Sequence, residues 1–232
     1  MGSPTPTRKE GDGFVSRYLN RRLSFPITRV LLRVAPNISP NTVSFVSFII
    51  GIVGALLFSM EIGVLGGIAV QLSSVLDGCD GEIARIKGRS SRFGAFFDSI
   101  LDRYVDSLVI MGLVVYCFKS LNGHRIFDLV RINELLILVV SVFTLIGTFQ
   151  VSYSAAKGQV NFARDFSRTL QGRDFRLFVI FLSGLVSPLD ASFIFLVLLI
   201  LAALTNVSVV WRMVVASDWE KQTRETRRKK IK

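Results

Sequence analysis

Half of the 232 residues are hydrophobic, 19% are charged, and the mean hydropathy is +0.51. An ordinary soluble domain carries roughly 25% charged residues, so disorder is excluded and a water-soluble globule is disfavoured. The net charge of +11, from 28 Lys and Arg against 17 Asp and Glu, does not mark a nucleic-acid binder, because the bases lie between long apolar runs rather than on one polar domain.

The chain opens on a polar stretch, 1–13, with Pro4, Pro6 and three glycines, which reads as a linker and not as a cleavable signal peptide. Residues 14–34 follow helical spacing. Phe14, Tyr18, Leu19, Leu23, Ile27, Val30 and Leu31 recur on one side, and Arg17, Arg21, Arg22, Arg29 and Arg33 fill the other. This pattern predicts a basic amphipathic helix lying in the headgroup layer, bent near Pro26. A spanning helix needs about 20 mostly apolar residues. Six candidates follow: 42–60; 63–76, running on into a polar stretch that ends near Arg85; 93–118, charged in its first half; 135–156; a short one, 175–186, stopped by Pro188; and 191–215. Residues 217–232 form a basic tail. The expected fold is therefore an all-α integral membrane protein: six transmembrane helices plus an N-terminal interfacial amphipathic helix, in one membrane domain over 14–216. Cys79 and Cys117 sit in or beside apolar segments and suggest neither a disulfide framework nor a metal site.

The bases set the expected orientation. With the N-terminus in the cytoplasm, 24 of the 28 Lys and Arg fall inside. The outer loops keep Lys119, Arg125 and Arg131, and Arg103 lies within a span. Both termini are then cytoplasmic.

The chemistry concentrates in Asp77-Gly-Cys-Asp-Gly-Glu-Ile-Ala-Arg85 and Gly94-Ala-Phe-Phe-Asp98-Ser-Ile-Leu-Asp102. At about 100° per residue, Asp77, Asp80, Gly81 and Ala84 share one helix face, and Gly94, Asp98 and Asp102 share another. A short loop joins the two helices, so the faces can meet at the cytoplasmic end. Four carboxylates in one cleft repel one another. They must be protonated or neutralised by cations, and hard divalent ions such as Mg²⁺ prefer oxygen ligands shared with phosphates. Two such ions can clamp an in-line phosphoryl displacement. Gly81, Ala84 and Gly94 keep the surface low for a flat ligand, or let helices pack closely. Arg85 can meet a phosphate bidentately. A proton or cation pathway is the competing reading of intramembrane acids. Against it, these acids cluster at the ends of two helices, and the cores of the last three spans lack Asp and Glu.

The pattern Asp-x2-Asp-Gly-x2-Ala-Arg-x8-Gly-x3-Asp-x3-Asp, with its eight fixed positions over 26 residues, resembles the signature of the CDP-alcohol phosphotransferase family. The six-span layout and interfacial helix extend the resemblance to about 14–215. It implies that Asp77, Asp80 and Asp98 are metal ligands. Asp102 matches the catalytic base and can also touch a metal. Arg85 contacts the donor diphosphate, and Gly81 and Ala84 floor the cytidine pocket. It also implies two divalent ions, Mg²⁺ or alternatively Mn²⁺, and a homodimer. Ser39-Pro40-Asn41-Thr-Val-Ser44 is a weaker element: Asn41 and Ser44 at a helix start suit a phosphate or nucleotide, or an ordinary cap.

Gly13-Phe-Val-Ser-Arg-Tyr-Leu-Asn-Arg-Arg22 before Ile38-Ser-Pro-Asn-Thr42 resembles the membrane domain of di-myo-inositol-phosphate-phosphate synthases. Such domains often follow a cytidylyltransferase, so a fused or separate cytidylyltransferase is an expected partner. That branch joins CDP-inositol to inositol 1-phosphate. A lipid branch using CDP-diacylglycerol with inositol phosphate or glycerol phosphate is the alternative. Either acceptor is a phosphorylated polyol needing a cationic cradle, for which Lys157, Arg173 and Arg176 are the candidates.

Overall fold

The computed structural model describes residues 18, 20–121, 125, 126, 130–164, 166 and 172–231, with backbone only at 125, 126, 130 and 223–231. The polar stretch 1–13 and the start of the amphipathic segment lie outside these residues. Among the described residues the helices are α1 Arg21–Val34, α2 Pro40–Ser59, α3 Gly63–Ile86, α4 Arg92–Ser120, α5 Glu134–Phe162, α6 Arg173–Val186 and α7 Ser192–Ile231. A short antiparallel ladder pairs Arg125–Ile126 with Val130–Arg131. The helical fold expected from the sequence is observed.

Local chemistry sets the helix ends. Pro40 opens α2, where its missing N–H costs nothing. Ser91 caps α4 by accepting from the Gly94 amide at 2.9 Å, and Asn133 caps α5 by accepting from the Leu136 amide at 2.8 Å. Ala163, in the left-handed region, closes α5. The α5 helix runs past the apolar stretch to Phe162, so Lys157 lies within it rather than at its end. Likewise α7 continues through the basic tail to Ile231.

Among the described residues, three helices are long and apolar enough to cross a membrane: Pro40–Ser59, Glu134–Phe162 and the Ser192–Gln222 part of α7. They carry broad exposed apolar surfaces, including Phe45, Leu56, Leu138, Phe143, Val207 and Trp211. Glycine, serine and carboxylates dilute the hydropathy of α3; charges break α4; and α6 has only 14 residues.

The helices form a bundle in which α2 packs on α3 and α4, α6 on α3, α5 on α7, and α1 on α3. Its core includes Phe58, Val70, Leu113, Ile137, Leu177, Ile194, Phe195 and Leu198. The α3–α6 crossing depends on glycine. A Cβ at Gly184 would lie 3.0 Å from the Gly67 Cα, and one at Gly67 would lie 2.8 Å from the Phe181 carbonyl oxygen. This close approach brings the start of α6 against the acidic end of α3. By contrast, α3 and α4 make no extended packing on each other. Their acidic faces meet across a cleft rather than along a helix–helix seam.

The α1 helix does not turn its whole apolar side outward. Ser24 and Thr28 are its buried residues. Ile27, Leu31 and Leu32 pack on the cluster of Val43, Cys79 and Ile83, while Leu23, Val30 and Val34 remain exposed. The packed side is partly polar because Glu82, wholly buried on α3, accepts from Ser24, from Thr28 at 2.7 Å and from Arg21 at 2.9 Å.

Candidate active site

Four carboxylates reach the cleft from two helices. Asp77 and Asp80 project from the last turns of α3, and Asp98 and Asp102 from the first turns of α4. Carboxylate oxygens of Asp77, Asp98 and Asp102 all lie within 4.8 Å of one another. That spread fits oxygen ligands gathered about a hard divalent ion. Asp80 is set deeper, 9% exposed, and accepts a hydrogen bond from the Ser44 hydroxyl of α2.

A cavity of about 220 Å³ opens beside these acids. Asp77, Gly78, Asp80, Gly81, Arg85 and Asp98 line one part of it, and Asn20, Arg21, Ser24, Ser74 and Asp174 line the rest. Gly81 leaves room there: a Cβ at this position would come within 3.3 Å of the Arg85 guanidinium. Ala84 is half-buried on the same helix. Gly94 sits where α4 meets the start of α2, and its absent side chain would lie 3.4 Å from the Asn41 amide oxygen. Ser39 makes no side-chain cap bond. Ser44 turns to Asp80 instead, so this element serves the acidic cleft directly.

The three cationic candidates part company. Arg173, the first residue of α6, sits among the acids. Its Nη1 is 2.9 Å from Asp77 and 2.8 Å from Asp102, and its Nε is 3.4 Å from Asp106. Arg176 lies one turn further in, 4% exposed, with its guanidinium on Asp106 at 2.8 Å. Lys157 is in neither group. It lines a second cavity of about 220 Å³ with Tyr153, Phe166 and Arg212, and its ammonium stands 5.7 Å from the Tyr153 ring centre. Arg212 is not part of a solvated tail: it is 4% exposed, hydrogen-bonds the Val151 carbonyl and Ser154 of α5, and stacks over Phe166.

Several site residues were not singled out from the sequence. Asp106 is 4% exposed and pairs with Arg176, Arg173 and, at 3.3 Å, Arg103. It continues the i, i+4 run of Gly94, Asp98 and Asp102, so the helical period already pointed to it. Asn20 donates to Ser74 at 2.9 Å and to Asp174 at 3.2 Å, and accepts from Gln71 at 2.9 Å. This polar cluster joins α3, α6 and the residue before α1, and no local spacing signals it.

The model of one family matches residues 37–219, which include every acid of the cleft. The chain belongs to the CDP-alcohol phosphatidyltransferase family. The resemblance drawn from the Asp77–Asp102 signature is thereby borne out. A relative from Thermococcus kodakarensis, named bifunctional IPC transferase and DIPP synthase, is 40% identical over 212 residues, covering 88% of this chain and 44% of its own length. The chain thus spans less than half of that curated relative. Among solved structures, Mycobacterium tuberculosis phosphatidylinositol phosphate synthase with CDP-DAG bound superposes with a TM-score of 0.65, at 25% identity, covering 83% of this chain and 92% of that one. The same enzyme in complex with manganese and citrate gives 0.66, at 25% identity, covering 82% and 87%.

Proposed function

We propose that this phosphatidyltransferase-family chain moves a substituted phosphoryl group from a CDP-alcohol to an acceptor hydroxyl and releases CMP. The observation that carries the reading is the Asp77–Asp98–Asp102 cluster, with oxygens within 4.8 Å, opening beside a cavity lined by Gly81 and Arg85. Asp77, Asp80, Asp98 and Asp102 hold two divalent ions, Mg²⁺ or Mn²⁺. Bound there, such ions offset the donor diphosphate's charge and stabilise the leaving CMP. Arg85 grips the diphosphate, while Gly81, Ala84 and Gly94 leave room for cytidine beside Asn41. Ser44 aims Asp80 through its hydrogen bond. Asp102 takes the proton of the acceptor hydroxyl, whose oxygen bonds to the β-phosphorus as the bond to CMP breaks. Of the acceptor candidates, Arg173 stands at the acids and carries the phosphate-binding role. Arg176 steadies it through Asp106, and Lys157 opens onto the other cavity.

The 40% identity to a bifunctional IPC transferase and DIPP synthase supports CDP-inositol as donor and inositol 1-phosphate as acceptor. The partner cytidylyltransferase would then supply the CDP-alcohol. The likeness to a structure with CDP-DAG bound supports the second reading, a lipid branch. In both, α2 to α7 make six spans and the site faces the cytoplasm with both termini, as the distribution of bases favours; two copies form a homodimer. The test is CMP release by protein in detergent with Mg²⁺, a panel of CDP-alcohols, and inositol 1-phosphate or glycerol phosphate. Release with CDP-inositol alone supports the first branch, and release with CDP-diacylglycerol alone the second. Release with no CDP-alcohol in the panel removes both.

A further inference from the structure

Arg173 heads α6 and reaches carboxylates on two other helices: Asp77 of α3, and Asp102 and Asp106 of α4. Its side chain is only 11% exposed. Two of those acids, Asp77 and Asp102, belong with Asp98 to the trio whose oxygens lie within 4.8 Å of one another. Nη1 stands 2.9 Å from one and 2.8 Å from the other, so a single nitrogen spans the gap between them. A divalent ion held by both acids would bond their oxygens at about 2.1 Å, and would therefore occupy the space that this nitrogen fills. Two cations in that gap would repel strongly at low effective dielectric.

We infer that Arg173 is the internal counter-cation of the acidic cleft, holding Asp77 and Asp102 together when no divalent ion is bound and giving way when one enters. This rests on the reading of the Asp77–Asp98–Asp102 trio as the metal site. An arginine suits the task because it stays charged at any working pH and offers several donors from one plane. It also has somewhere to go. Asp106 lies 3.4 Å from Nε, a different nitrogen from the one on Asp77 and Asp102, and Arg176 fixes that carboxylate at 2.8 Å. The displaced guanidinium therefore stays tethered at the cleft, where an incoming acceptor phosphate meets it. Arg103 is 3.9 Å from Asp102 and closer to Asp106, at 3.3 Å, so it pairs mainly with Asp106 and does not fill the gap.

The experiment measures metal affinity, not turnover. Chelator-stripped wild type, Arg173→Gln, Arg173→Lys and Asp98→Asn are titrated with Mn²⁺ in detergent, and free Mn²⁺ is read by electron paramagnetic resonance. Melting temperatures are taken in EDTA and in saturating Mn²⁺. Arg173→Gln is expected to bind Mn²⁺ at least ~10-fold more tightly than wild type, or about 1.4 kcal/mol. It should melt below wild type in EDTA, and the gap should narrow in Mn²⁺. Arg173→Lys keeps the charge but not the fork, and should fall between the two; it carries the test if the Gln variant does not fold. Equal or weaker Mn²⁺ binding by both variants overturns the inference while leaving the metal site intact. Unchanged binding by Asp98→Asn, or no binding by wild type, overturns the metal-site reading and the inference together.

Discussion

Asp106 lies one helical turn beyond Asp102 and outside the signature, yet three arginines converge on it. Breaking a buried pair by removing one partner strands the other charge, at a cost of about 3–5 kcal/mol. Asp106→Asn should therefore melt well below wild type, and further below it than Asp102→Asn, because Arg176 at 4% exposure cannot turn to water. Asp102→Asn should instead lower turnover at least ~100-fold, the scale of general-base loss, while CDP-alcohol binding persists. Thermal unfolding, CMP release and nucleotide titration separate the two. Gly81→Leu presses on the Arg85 guanidinium, 3.3 Å from where even a Cβ would sit. It should weaken nucleotide binding with little change in melting, since leucine favours helix. At this scale the acids were legible, because a helix repeats its face every three to four residues and their spacing follows that period. The polar cluster of Asn20, Ser74 and Asp174 was not, because its members lie up to 154 residues apart in the chain.

Among the elements, α1 has the least expected setting. Its amphipathic spacing is plain in the sequence, but spacing does not say which neighbour an apolar stripe meets. Glu82 decides that here by drawing Ser24, Thr28 and Arg21 onto α3. Glu82→Leu should undock α1, and trypsin should then cut at Arg29 and Arg33 several times faster than in wild type, with fragment appearance followed by gel. Unchanged cleavage would mean that Ile27 and Leu31 hold the helix by themselves. Gly184→Leu acts on another joint. The added side chain meets the α3 backbone at Gly67, pushes α6 outward and draws Arg173 from Asp77, so CMP release and melting temperature should fall together. Helix ends were read less well than helix cores. The α5 and α7 helices run past their apolar stretches because a helix persists into polar sequence when its caps permit, as Ala163 does for α5.

Over the whole molecule, hydropathy alone picks out α2, α5 and α7. The other three segments are harder to read because the same residues that build the site, acids and arginines in α3, α4 and α6, lower the signal that marks a span. On the six-span layout, cysteines at Arg89 and Lys221 should react with an impermeant maleimide from one side of sealed vesicles, and one at Lys119 from the other. The native Cys79 and Cys117, both wholly buried, should stay silent. Modification of all three from a single face would discard that layout.

The paired charges also bear on how the chain is made. On the six-span layout, α4 enters the bilayer bearing Asp98, Asp102, Arg103 and Asp106, and by insertion scales a charge at a helix centre costs about 2.5–3.5 kcal/mol. Its partner Arg176 comes 70 residues after Asp106, which at roughly 5–20 residues per second is about 4–14 s of translation. On the same layout, α4 would be an unfinished guest at the translocon during that interval, held by neighbours or by water. A ribosome stalled before α6 should leave α4 extractable by alkali, and one stalled after α6 should not. On that layout, the cluster proposed to ready the cleft for chemistry would also be a clock, fixing when the chain can leave the machine that builds it.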